Sequence, residues 1–285
     1  MIDSGIRVEE MSEALQEAIQ ALLRATIAPK GYEKIWSALM CSPSPDEMDI
    51  DDMFEQTNSY KFCLFGEPSL DSPWGFNIFG RHVCLNAFTL NGELLVGPFS
   101  LNVDARDVRR GSQLMRGAEL AGLTLMRSLS PEQQARASLQ YTIDDLDGSE
   151  FIRTVGGAHQ DNAVVPYRGI CASDLRAEQI CLLLDIVRTF NEMLPEATLE
   201  CMMRRVTEHL DETFFAWSGL VADESPYYFR VHSPIILDEL EHQETESLSQ
   251  YRILATQRLP NRGDYGAALL DEWVRHSHAK IRKSI

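Results

Sequence analysis

Arg81-His82-Val83-Cys84-Leu85-Asn86-Ala87-Phe88-Thr89-Leu90-Asn91-Gly92-Glu93-Leu94-Leu95-Val96-Gly97-Pro98-Phe99 reads as two strands folded back on each other. The first half alternates. His82, Cys84, Asn86 and Phe88 fall on one face, and Arg81, Val83, Leu85 and Ala87 on the other, which is the period of a pleated strand. Asn91-Gly92 then separates it from the apolar run that follows, and both residues tolerate the positive φ of a two-residue hairpin. A strand that only fills a core rarely opens on an arginine beside a histidine. The stretch that argues for a sheet therefore also marks a candidate site.

Working outward, strand texture begins at Tyr60–Gly66 and returns late in the chain. It reappears at Thr213–Trp217, Tyr227–His232, Ile235–His242 and Tyr251–Leu259. Between the two β blocks the apolar period is helical, over 111–129, from Ser130-Pro131-Glu132-Gln133, and over 173–195 and 197–212. Ser130 is placed to cap, Pro131 suits a first turn, and Gln133 occupies the capping-box position. Apolar residues from Ile6 to Ile27 predict an N-terminal helix over about 6–28, ending before Pro29, and a C-terminal helix is expected over about 264–282. The reading is one α+β domain over 1–285, with a mixed or antiparallel sheet drawn from the N- and C-terminal thirds and packed against a helical middle. Two domains split near residue 150 is the weaker alternative.

Composition narrows the function classes. A hydrophobic fraction of 44% supports a packed core, and 43 acidic against 26 basic residues give a net charge of −17. Nucleic acid and anionic membranes are disfavoured partners, because such a surface repels them. No run is apolar and long enough for a membrane span, and the N-terminus lacks the pattern of a secretory signal. A soluble, cytoplasmic protein is expected, with a homodimer left open. The six cysteines show no C-x-x-C spacing, and those in apolar runs, such as Cys181-Leu182-Leu183-Leu184, read as buried reduced thiols.

Generic catalytic motifs are absent: no GxSxG, P-loop, GxGxxG after a strand or HExxH. Asp51-Asp52 and Asp144-Asp145 read as solvated acidic loops. Glu239 and Glu241 share one face of a strand next to His242, and a carboxylate on a core-adjacent strand needs a partner. His82, His232 and His242 all fall on strands, whereas His209 suits a helix C-terminus and His276 and His278 a solvated tail. Three strand histidines near a glutamate fit a metal site, an acid–base site or polar groups satisfied within a sheet, and spacing does not choose among them.

The chain also resembles the domain-of-unknown-function 3500 family. The likeness rests on Phe65-Gly66-Glu67-Pro68-Ser69, Pro73-Trp74-Gly75-Phe76 and Gly80-Arg81-His82-Val83-Cys84-Leu85-Asn86. It continues through Ser128-Leu129-Ser130-Pro131-Glu132-Gln133, His209–Trp217, Tyr228–Pro234, Glu239-Leu240-Glu241-His242-Gln243 and Gly263-Asp264-Tyr265-Gly266, covering about 60–272 in order. The family pattern has Gly-His-His at Gly80-Arg81-His82 and His-x-His at Arg252-Ile253-Leu254. Three family imidazoles are thus missing, and two are replaced by arginine, which stays protonated and cannot ligate a metal. Fungal members sometimes accompany biosynthetic genes, which implies small-molecule chemistry.

These residues lead to the expectation of a cofactor-independent enzyme acting on an anionic or polyketide/terpenoid-like biosynthetic intermediate. The reaction class is isomerisation, cyclisation, elimination or decarboxylation. His82, Glu239 and His242 would carry the proton transfer, while Arg81, Arg252, Arg258, Trp74, Tyr228 and His232 would bind substrate. Phe76, Phe88, Trp217 and Tyr227 are further candidates for an apolar wall. Two alternatives stand beside this. In one, a divalent metal such as zinc or iron is held by His82, His232, Glu239 and His242 in a hydrolase or lyase; in the other, the protein binds a small molecule without turnover.

Overall fold

A computed structural model of the chain describes residues 5–39, 60–80, 82–104, 114–139, 154–157, 162–222, 225–244 and 251–283. Arg81, Asp51-Asp52, Asp144-Asp145 and His159 lie outside them. The strands are β1 (Ile6–Arg7), β2 (Lys61–Phe65), β3 (Trp74–Phe79), β4 (Val83–Leu90), β5 (Glu93–Asp104), β6 (Ile170–Cys171), β7 (Phe214–Gly219), β8 (Tyr227–His232), β9 (Leu237–Glu244) and β10 (Tyr251–Arg258). The helices are α1 (Glu13–Thr26), α2 (Pro29–Leu39), α3 (Arg116–Ser128), α4 (Pro131–Ala137), α5 (Ala177–Phe190), α6 (Glu196–Glu208) and α7 (Ala267–Lys283).

All ten strands join one antiparallel sheet in the order β1-β2-β3-β4-β5-β10-β9-β8-β7-β6. The protein is α+β, and its sheet takes strands from both ends of the chain, as the sequence pattern predicts. The β4–β5 hairpin turns at Asn91 (φ 53°) and Gly92 (φ 75°), the conformation for which an Asn-Gly pair is suited. The two halves meet where β5 pairs β10, from Phe99 opposite Gln257 to Asp104 opposite Arg252.

Alternation gives the sheet two unlike faces. One carries Trp74, Phe76, Ile78, Leu85, Phe215, Trp217, Phe229 and Leu240, and these buried side chains form the core beneath the helices. Gly122 of α3 lies so close to that face that a Cβ there would stand 2.5 Å from the Phe229 ring, which fixes a small residue at the contact. The other face carries His82, Cys84, Asn102, Tyr228, Arg230, His232, Glu239, Glu241, Arg252, Thr256 and Arg258, as the registers require. We call these the helix face and the polar face.

Local chemistry sets the helix ends. Ser130 Oγ accepts from Gln133 N while Gln133 Oε1 accepts from Ser130 N, the reciprocal cap read in the sequence. The expected single helix over 6–28 is corrected. Ile6–Arg7 pairs with β2, Val8–Glu10 is a 3-10 turn, and α1 starts only after its cap, Ser12. α1 does end before Pro29, at Thr26, and Pro29 opens α2 in the first-turn position where its missing N–H costs no bond. Lys34 on α2 is buried against Glu192 and so ties this helix pair to the turn after α5. The buried reading of Cys181 also fails: the inward face of α5 is Leu183, Ile186, Val187 and Phe190, and Cys181 is exposed. No described helix is long and apolar enough to cross a membrane.

Candidate functional site

On the polar face, neighbouring strands place their side chains in rows. One row runs His82, Asn102, Leu254, Glu241, Tyr228, and the next Cys84, Ser100, Thr256, Glu239, Arg230. His82 precedes β4 and is fixed in the first row by its backbone, because Asn102 N donates to His82 O at 2.9 Å. Leu254 sits between Asn102 and Glu241 in that row. Arg252 lies next along the same face, opposite Gln243. His82, Arg252 and Leu254 therefore share one region of the sheet.

Glu239 is fully buried and bonded on every side. Oε1 accepts from Tyr228 Oη at 2.5 Å and from Val155 N at 2.9 Å, and Oε2 from Gly156 N at 2.6 Å and Thr256 Oγ1 at 3.2 Å. Burial raises its pKa, with the Tyr228 hydroxyl, the two backbone N–H groups and the Arg230 charge opposing the rise. Glu241 Oε2 accepts from Thr154 Oγ1 at 2.8 Å. Arg258 donates from Nε to Gly156 O at 2.6 Å and from Nη2 to Gly157 O. Residues 154–157 thus lie across the polar face as a strap held by Glu239, Glu241 and Arg258. A carboxylate whose two oxygens already receive four donors has no lone pair left to take a substrate proton.

His232 lies in the same covered region, with its ring 4.4 Å from that of Tyr167. Burial, and then the charge of Arg230, push its pKa down to about 4, so its imidazole is neutral.

His82 is different. Its Nδ1 lies 2.9 Å from Asn102 O, and a carbonyl only accepts, so Nδ1 carries a proton and Nε2 bears the lone pair of the neutral ring. The residue is 5% exposed, and among the described residues Nε2 has no partner; neither has Asn102 Oδ1 beside it. An enclosed basic nitrogen with a fixed tautomer is suited to accept a proton.

Several expected site residues are not brought together. His242 points to the helix face, where Nε2 is 2.9 Å from Glu119 Oε1 and the ring lies 4.2 Å from Tyr227. Trp74 is on the helix face too, with Nε1 donating to Ser69 O at 2.8 Å, as are Phe76, Trp217 and Tyr227, leaving Phe88 and Tyr228 on the polar face. His82 and Glu239 share a face but stand three strands apart, about 14 Å at strand spacing. His82, His232, Glu239 and His242 consequently do not form one ligand set, and no group of three or more His, Cys, Asp or Glu among the described residues is placed to hold a metal. His209 caps the C-terminal end of α6, and His276 is exposed on α7.

Sequence reasoning passed over Arg230, although the alternation that groups Tyr228 with His232 includes it. It also missed Glu119, the partner of His242 across 123 positions of chain, and the strap, whose residues carry no local signal.

A family model described as "Protein of unknown function (DUF3500)" matches residues 1–267. No curated protein and no solved structure matches the chain.

Proposed function

The chain belongs to the DUF3500 family, and we propose that this member is an enzyme of small-molecule biosynthesis that moves protons on an anionic intermediate without a cofactor. His82 is the base in this reading. The observation that carries it is the buried Nε2, without a partner among the described residues, of an imidazole whose Nδ1–H is engaged by Asn102 O. Arg252, on the same face, supplies a permanent positive charge, and Arg81, adjacent in sequence, supplies another. Guanidinium groups hold a carboxylate or a developing enolate by charge-assisted hydrogen bonds. With charge stabilised and a base in place, isomerisation, cyclisation, elimination and decarboxylation share the same first requirement.

Glu239, Tyr228 and Arg258 take a supporting part here, since their polar atoms engage the strap. His242 acts through Glu119 on the placement of α3, not on substrate. The test is solvent-deuterium exchange into a panel of small β-keto and β,γ-unsaturated acids, followed by proton NMR. Wild-type protein should exchange the acidic C–H of at least one acid, His82→Gln should slow it by about 10²- to 10⁴-fold, and Arg252→Gln should mainly raise KM. Exchange that is equal in wild type and His82→Gln overturns the assignment of the base. Saturable binding of these acids without exchange favours a binding protein.

A further inference from the structure

We propose that Arg230 and His232 form a second site, a subsite for one small organic carboxylate, on the polar face beneath residues 162–168. Arg230 is 3% exposed and His232 4%. Among the described residues the guanidinium makes one hydrogen bond, from Nη2 to Pro166 O at 3.3 Å, its Nε has no partner, and it forms no ion pair. Its register partner Glu239 is close enough for their charges to interact, yet both Glu239 oxygens are occupied by other donors. The Glu239 charge offsets that of Arg230, but an Nε–H buried without an acceptor is unfavourable until an acceptor such as a carboxylate oxygen completes it.

The second donor is beside it. His232 is two residues along β8 on the same face, and its Nδ1 also has no partner among the described residues. A neutral imidazole can present Nδ1–H without adding a second positive charge to the pocket. One carboxylate oxygen therefore pairs with Arg230 Nε and the other with His232 Nδ1. Two donors and a single positive charge match a monocarboxylate; a phosphate dianion would bring surplus charge and oxygens into a buried site. Tyr167 lies over the His232 ring and is 44% exposed, so the wall of this subsite borders solvent. Arg230 and His82 stand four strands apart, about 19 Å, which separates this subsite from the base proposed above.

The experiment uses the full chain with sodium acetate as probe, against sodium chloride at equal ionic strength and against inorganic phosphate, up to about 100 mM. Thermal unfolding and line broadening of ¹³C-acetate are read together. Acetate should raise Tm and broaden in the presence of wild type, with phosphate giving no more than chloride. Arg230→Met should lose both acetate responses, keep a Tm without acetate at or above that of wild type, and leave the deuterium exchange governed by His82 unchanged. His232→Phe provides a second variant and should weaken acetate binding about tenfold or more. An acetate response that persists in Arg230→Met, an equal response to phosphate, or no line broadening with wild type would overturn the subsite, whatever the result for His82.

Discussion

Asp238 and Glu239 are neighbours on β9, both fully buried, and their side chains leave opposite faces of the sheet. Glu239 receives four donors on the polar face. Asp238, on the helix face, receives one, from Gln257 Nε2 at 3.1 Å, and that amide also donates to Asn191 Oδ1 at 2.8 Å. Burial raises both pKa values. For Glu239, hydrogen bonds and Arg230 resist the rise, whereas for Asp238 only Gln257 does, and the Glu239 charge adds to it, so Asp238 stands well above the usual carboxylate range. Asp238 Oδ2 and Gln257 Oε1 both lack donors, which suits an Asp238 that is protonated. Equal burial thus yields two different groups: a hydrogen-bond hub that organises a strap, and a carboxyl packed under helices whose pKa burial raises.

The comparison can be broken at the hub first. Glu239→Leu leaves Thr256 and two strap N–H groups without an acceptor, removes the carboxylate that Tyr228 donates to, and takes the nearest compensating charge from Arg230. A loss of about 3–5 kcal/mol is expected in urea unfolding, with faster proteolysis at 154–157. Tyr228→Phe removes one hydroxyl bonded to that carboxylate and should cost about 1.5–3 kcal/mol. Thr154→Val, which deletes the strap's bond to Glu241, should cost about 1 kcal/mol.

Asp238→Asn is the smallest change at acid pH and sharpens the other side of the comparison. A carboxyl with a raised folded pKa keeps its proton in the native state after the unfolded chain has released its own. Its contribution to stability is therefore present below about pH 4 and is lost as pH rises from there toward the folded value. The amide has no proton to hold. Asp238→Asn should match wild type within about 1 kcal/mol near pH 4 and gain on it steadily up to pH 8, measured by urea unfolding across that range. A constant difference across the range would mean that Asp238 is ionised in the folded protein.

Much of the sheet was legible because strand alternation and turn chemistry are local. The hairpin at Asn91-Gly92 and the cap at Ser130 need only a few adjacent residues, and both form as read. The faces of β8 and β9 were legible as well, since Glu239, Glu241, Tyr228 and His232 do share one side. The same alternation puts His242 on the face opposite Glu239, although proximity in sequence had suggested a pair. What the pattern could not show was that Glu239 is saturated, because two of its four donors are backbone N–H groups more than 80 positions away. The N-terminal helix was read too long, as Ile6 fits an apolar helical stripe yet joins a sheet edge.

The pairing of β5 with β10 has a consequence for how the protein is made. Translation runs from the N-terminus, so the first five strands emerge well before β10 does. Until then β5, at twelve residues the longest strand, waits with an unpaired edge that the finished molecule never presents. A ribosome that stalls after α6 would hold a half-sheet whose open rim can pair with another nascent chain. The seam that closes the native sheet last is therefore also where the growing polypeptide most needs a chaperone.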